Sequence, residues 1–324
     1  MDYIEKTRPG LMARLSNKNY RLIYIIIVLA VLFSLNSNKF LSVNNLSNML
    51  LSQVTVSCIA IGALIILIIG EFDLSLGYMI GFVMMLGAYL FDKNVNVVIV
   101  IIAMVCSGSL AGLVSGILTV KFHVSSFIST LAVGITLSGL TIGLSNGAVL
   151  SNNISPLFIE LGQSKIFGVG WCVWIFILIC AIMYFCLEFT SFGRSLYAIG
   201  GSQKVSFMAG IKTDMIRILA FVLSGTFTSI AAIFQLGQSG AAFPSFGLSL
   251  LMPAYAIAFL SVTTYRPGFY NVVGLMLSVI VLGIGVNGLS ILGAPFWAEH
   301  IYNGAVLLFA VLTAAADARA VKVG

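Results

Sequence analysis

The most closely spaced carboxylates in the chain are Glu71 and Asp73, in Gly70-Glu71-Phe72-Asp73-Leu74-Ser75-Leu76-Gly77. A hydrolytic enzyme would use such a pair as general acid and base, but residues two apart do not face each other on a helix, and no histidine or metal ligand lies near them. Two other readings stay open. Asp73 can cap a following helix by accepting from the backbone N–H of Ser75 or Leu76, or Glu71 and Asp73 can form a second contact for a cytoplasmic partner. His123 and His300 each lack a second histidine at i+3 or i+4, so no metal site is expected. The five cysteines (Cys58, Cys106, Cys172, Cys180, Cys186) are scattered through apolar runs without a C-x-x-C pair and read as small core hydrophobes. There is no G-x-x-x-x-G-K-[ST], and indeed no Gly-Lys pair, so the chain has no phosphate-cradling P-loop. No catalytic residue, cofactor or metal is expected, and the chain is not read as an enzyme.

The elements that carry these residues are set by composition. Of 324 residues, 60% are hydrophobic and 8% charged, against about 25% charged in soluble domains. So few charges cannot solvate a globule of this size, which leaves an all-α polytopic membrane protein. The net charge of +6 then reflects basic cytoplasmic loops rather than a nucleic-acid partner. Apolar runs predict ten transmembrane helices, near 20–36, 46–69, 74–91, 97–120, 127–144, 169–187, 218–236, 248–263, 272–292 and 301–316. The first follows a basic stretch but precedes no small-x-small cleavage site, so it is expected to remain as an anchor. With the N-terminus inside, thirteen of the 16 Lys and Arg fall on one side and three (Lys39, Lys93, Lys165) on the other. One missed span would swap every later loop, so the split predicts both termini in the cytoplasm. The whole chain, 1–324, reads as one transmembrane domain with a cytoplasmic N-terminal segment, 1–19.

No predicted span carries Asp, Glu, Lys or Arg in its interior. Ion-coupled transporters and pumps generally place ionisable groups at that depth. A solute moved uphill by this chain would therefore draw its energy from another polypeptide. A self-contained facilitator or secondary transporter is the alternative.

Among the inside loops only 190–217 has room for a docking structure. Ser202 to Gly210 reads as a two-turn helix with Ser202 as N-cap and Gly210 as C′ residue, presenting Val205, Met208 and Ala209 on one face. Two turns are unstable alone in water, so this helix must rest on something. It is either an interfacial connector or a helix held out to a cytoplasmic partner, with Gly193, Gly200, Gly201 and Gly210 supplying sharp turns. Elsewhere, Gly108, Gly112 and Gly116 form a small-xxx-small face expected to pack closely against a neighbouring helix. Pro244 and Pro253 flank a polar, small-residue stretch, 237–251, suited to a broken segment beside an aqueous cavity.

These residues resemble the permease subunit of bacterial ABC importers of the ribose/xylose/autoinducer-2 type, a branch of the branched-chain amino-acid/sugar permease superfamily. The likeness runs from about Asn45 to Ala315. The family's G-G-I-D-L-S-V-G is similar to Gly70–Gly77, with Glu71 standing where the family has a glycine. Its K-x-x-V-P-P-F-I-x-T-L-G is similar to Lys121–Ala132, where Ser125 and Ser126 replace a proline pair. Its G-R-x-x-Y-A-x-G-G-N-x-x-A-A-x-x-S-G-I is matched by Gly193, Arg194, Tyr197, Ala198, Gly200, Gly201, Gly210 and Ile211, with Val205 and Ser206 in place of Ala-Ala. The resemblance implies a type II importer half in the bacterial cytoplasmic membrane, which moves a monosaccharide or similar small solute inward. It further implies a second permease copy or sister permease, a cytoplasmic ABC ATPase and an extracytoplasmic solute-binding protein. The ATPase-coupling loop would use Gly193, Arg194, Gly200, Gly201, Ser202, Val205, Phe207, Met208 and Gly210.

Overall fold

Polar side chains mark the starts of several helices. Ser42, Asn96, Thr190, Ser202 and Asn271 each accept a hydrogen bond from a backbone N–H in the first turn that follows, which satisfies one otherwise unpaired donor per helix. The structure, a computed structural model, describes residues 20–323, with side chains through residue 314. The expected N-terminal segment 1–19 and the side chains of Arg319 and Lys322 lie outside the described residues.

Among the described residues ten apolar helices are present, as expected: α1 (Arg21–Asn36), α2 (Val43–Ile68), α3 (Ser75–Asp92), α4 (Val97–Val120), α5 (Ser126–Ser145), α7 (Trp171–Phe189), α10 (Thr213–Ser239), α11 (Leu248–Leu260), α12 (Val272–Ile291) and α13 (Phe296–Val323). Eight are long and apolar enough to cross a membrane; α1 and α11 are shorter. The 13 residues of α11 reach about 20 Å at 1.5 Å per residue, short of a ~30 Å hydrocarbon core. The stretch before it, 240–247, is irregular, and there Leu150 and Ala242 exchange backbone hydrogen bonds of 3.1 and 2.8 Å. Non-helical backbone in a membrane protein requires such internal pairing. The connection before α7 contains a short helix, α6 (Pro156–Gln163), and a two-stranded ribbon, β1 (Lys165–Ile166) with β2 (Val169–Gly170).

Helix α2 is the axis of the bundle and is buried over most of its length. It packs on α10 and α11, α3 joins α5 to this centre, and α1 lies against α12. Cys58, Cys172 and Cys180 are buried as expected, whereas Cys106 is exposed on the outer face of α4.

Helix association in lipid gains little from apolar burial, so close backbone approach matters more. Gly108, Gly112 and Gly116 of α4 supply it against α10. A Cβ on Gly112 would overlap the Phe221 carbonyl oxygen, one on Gly116 would come within 3.2 Å of Ile218, and one on Gly225 would overlap the Gly108 carbonyl oxygen. Gly139, in α5, has nothing within 4 Å of its missing Cβ. Gly112→Ala is therefore expected to lower the thermal stability of the detergent-solubilised protein, because overpacking costs about 1–3 kcal/mol. Gly139→Ala should leave it unchanged or raise it, since alanine is the better helix former by about 1 kcal/mol. Equal melting temperatures for the two variants would refute this reading of the glycine face.

Candidate functional site

The segment expected to be one short helix in a loop contains two helices and the start of a third. Helix α8 (Ser191–Gly201) is followed by α9 (Gln203–Met208), and α10 begins at Thr213. Phe192, Leu196 and Ile199 recur at i, i+4 and i+7, the apolar period that marks α8 in the sequence; Leu196 and Ile199 are buried. Gly193, Gly200 and Gly201 are consequently helical and do not make turns. Gly193 and Gly200 instead permit contact: a Cβ on the first would overlap the Leu187 carbonyl oxygen, and one on the second the Ile68 carbonyl oxygen. Gly201 has open space around it. Helix α8 is thus seated on the ends of α7 and α2.

The local chemistry of α9 is as the residue types dictate. The Ser202 side chain accepts from the Val205 N–H at 3.4 Å. At the other end, the Ile211 N–H donates to the Ser206 carbonyl at 3.1 Å, and the Gly210 N–H to Phe207 at 3.0 Å. With Gly210 at φ +84°, this is the paired closure of a helix whose C′ residue is left-handed. Ser206 is buried, while Val205, Phe207 and Met208 are 64%, 70% and 77% exposed. Three apolar side chains therefore stand in the open on a helix fixed at both ends.

Beside α8 lies a cleft of about 610 Å³ lined by Glu188, Arg194, Tyr197, Arg266 and Phe269. Arg266 pairs with Glu188 at 2.5 Å, and the Tyr197 hydroxyl donates to the Tyr270 carbonyl at 2.6 Å, tying α8 to the turn before α12. Arg194 is exposed and donates to the Phe189 carbonyl at 3.4 Å.

The turn Gly70–Leu74 closes α2 in the same way that α9 is closed. Gly70 has φ +77°, and the Glu71 and Gly70 N–H groups donate to Ile66 and Leu67, each at 3.1 Å. Asp73 caps α3, accepting from the Ser75 N–H at 3.0 Å and its hydroxyl at 2.5 Å. The Ser224 hydroxyl of α10 donates to the second carboxylate oxygen at 3.2 Å. Burial pushes the Asp73 carboxyl up from the ordinary carboxylate range, and the bonds from Ser75 and Ser224 act in the opposite direction. The Asp73 half of the expected second contact is corrected here: Asp73 is completely buried, so its carboxylate cannot reach a docked partner. Glu71 is engaged in an ion pair with Arg217 of α10.

The backbone of the same turn is held by two more elements. Phe72 N–H donates to Ser126 and Leu74 N–H to Thr130, both of α5, at 3.2 and 3.0 Å. The Tyr255 hydroxyl of α11 accepts from the Asp73 N–H at 2.9 Å and donates to its carbonyl at 3.0 Å. Arg217, Ser224 and Tyr255 lie in no sequence motif, and the motif over Lys121–Ala132 that contains Ser126 and Thr130 does not announce this role; a lone arginine in the first turns of a long apolar helix is the visible signal. Helix α9 leads into α10, which carries Arg217 and Ser224, so the α8–α9 arm and this turn, itself bonded to α5 and α11, are joined through one helix.

A bundle of apolar helices of this kind suits a membrane transport subunit, and the comparisons agree. The chain is 30% identical over 295 residues to a ribose import permease of Escherichia coli (strain K12), covering 90% of this chain and 91% of that protein. It is 28% identical over 292 residues to an L-arabinose ABC transporter permease of Azospirillum brasilense, covering 90% and 86%. A galactose/methyl galactoside import permease of E. coli (strain K12) is 26% identical over 309 residues, covering 89% and 91%. No solved structure matches the chain. The model of the family described as branched-chain amino acid transport system / permease component matches residues 45–312, a stretch that takes in every helix from α2 through most of α13, the Gly70–Leu74 turn and the α8–α9 arm, and the chain belongs to that family.

Proposed function

We propose that the chain is the membrane-spanning half of an ATP-driven importer for a monosaccharide or similar small polar solute, with residues 190–217 on the cytoplasmic face as the ATPase-coupling element. The observation that carries this reading is α9: an exposed apolar helix, rigidly seated, whose continuation α10 holds the Glu71–Arg217 pair. An exposed apolar triplet on a membrane protein's aqueous side marks a protein contact. The related permeases named for ribose, arabinose and galactose support a sugar as cargo. Among the described residues no charged side chain sits at the middle of a span, which disfavours ion-coupled transport. The functional unit has two permease halves, a cytoplasmic ABC ATPase and an extracytoplasmic solute-binding protein.

Proteoliposomes test energy source and orientation together. Uptake of sugar is expected only with the ATPase and ATP on the face that bears α9 and the solute-laden binding protein on the opposite face. Uptake by this chain alone, driven by a proton or sodium gradient, would establish the secondary-transporter alternative. Uptake with the two partners exchanged between faces would reverse the orientation.

A further inference from the structure

Between α2, α11, α12 and α13 lies a cleft of about 500 Å³ whose polar lining is Ser52, Gln53, Ser249, Glu299, His300 and Asn303. The volume falls within the ~300–1,000 Å³ of small-molecule clefts. Its position is at the end of the bundle opposite the coupling arm. Gln53 lies ten residues into α2 from Val43, about 15 Å at the helical rise, and Asn303 seven residues into α13 from Phe296, about 10 Å. Helix α8 abuts the other end of α2, at Ile68.

Two carboxamides in this cleft have no protein partner. Gln53 is 8% exposed on the buried helix α2. Its backbone carbonyl accepts from Ser57, yet among the described residues its side-chain amide makes no hydrogen bond. The Asn303 side-chain oxygen is buried and likewise unpaired. Buried polar groups are nearly always satisfied, so the buried Asn303 oxygen, with the unbonded Gln53 amide lining the same cleft, points to something that enters it.

The chemistry of the lining selects the visitor. A carboxamide offers one acceptor and two donor hydrogens, which matches a hydroxyl pair, where each O–H can donate and accept. The serine hydroxyls and the Glu299 carboxylate add acceptors, and Phe296 gives an apolar wall for C–H surface. Glu299 is the single formal charge in the lining with histidine neutral, so the carboxylate of a zwitterionic amino acid would meet no fixed cation there. Resting on the importer reading above, we propose that this cleft is a transit site for a neutral polyhydroxylated solute, whose hydroxyls are held by Gln53 and Asn303.

The test uses the reconstituted full transporter with radiolabelled D-ribose, D-galactose and L-leucine as probes. Gln53→Leu and Asn303→Leu are each expected to reduce sugar uptake at least tenfold while the complex assembles at parental yield, with Gln53→Asn retaining more uptake than Gln53→Leu. Ser249→Cys should become sensitive to a membrane-impermeant methanethiosulfonate applied from the face opposite α9, with excess sugar slowing the inhibition and the parent chain unaffected. This labelling carries the test if a leucine variant fails to insert. Leucine variants that transport sugar within twofold of the parent, or a Ser249→Cys chain insensitive to the reagent, would overturn the cleft assignment while leaving the importer reading intact. A parent complex that carries leucine and neither sugar would overturn the importer's sugar reading, and the hydroxyl assignment with it.

Discussion

Met208→Asp and Gly210→Val are each expected to leave the protein inserted in the membrane while abolishing both co-purification with the ATPase and uptake. Met208 is the most exposed of the three apolar side chains on α9, and a few such anchors normally supply most of an interface's energy. An aspartate there would bring an unpaired carboxylate into the contact. Its desolvation costs several kcal/mol, and each ~1.4 kcal/mol is tenfold in affinity. Gly210 acts differently, since its backbone is left-handed at φ +84°. A β-branched residue there is strained by about 1–2 kcal/mol, and relief of that strain would unwind the closure from Ile211 and Gly210 to α9 and misdirect all three anchors. Nothing lies within 4 Å of a Cβ on Gly210, so any loss comes from backbone conformation and not from crowding. Membrane insertion is checked by size-exclusion of the solubilised chain, and assembly by pull-down of the ATPase. Two stably inserted variants that assemble and transport normally would reduce α9 to an interfacial connector.

The second large effect is expected at Arg217. Its side chain is 10% exposed and that of Glu71 is 17% exposed, so removing one partner strands the other in a poorly solvated place. Breaking such a buried pair costs about 3–5 kcal/mol, and the remaining exposure favours the lower figure. Arg217→Leu should therefore lower the melting temperature of the solubilised chain and suppress uptake. Glu71→Gly with Arg217→Leu should recover most of the stability, because the stranded carboxylate is gone and glycine already precedes it at position 70. If the pair also transmits movement from α10 to the α2–α3 turn, the double variant regains stability but not full uptake. An Arg217→Leu chain within 1 kcal/mol of the parent would class the pair with weak surface ion pairs.

What the sequence determined by itself is whatever depends on neighbours in the chain. Ten apolar runs gave ten helices, because span length and hydropathy are properties of some twenty consecutive residues. The Ser202 cap, the Gly210 exit and the Asp73 cap were legible for the same reason: each is completed within five residues. The spacing of Gly108, Gly112 and Gly116 announced a close contact without naming its partner. That α10 is the partner, through Phe221 and Gly225, was decided by packing. So was the inward burial of Asp73, since the bond from Ser224 spans 151 positions and the clasp by Tyr255 spans 182. The Glu71–Arg217 pair joins residues 146 apart, and α8's glycines turned out to be contact points on Ile68 and Leu187 because the eight other residues of that helix favoured helix over turn. Gln53 and Asn303 become a site only when α2 and α13 are set side by side, for a carboxamide in an apolar run shows its missing partner only once every helix that could have supplied one is in place.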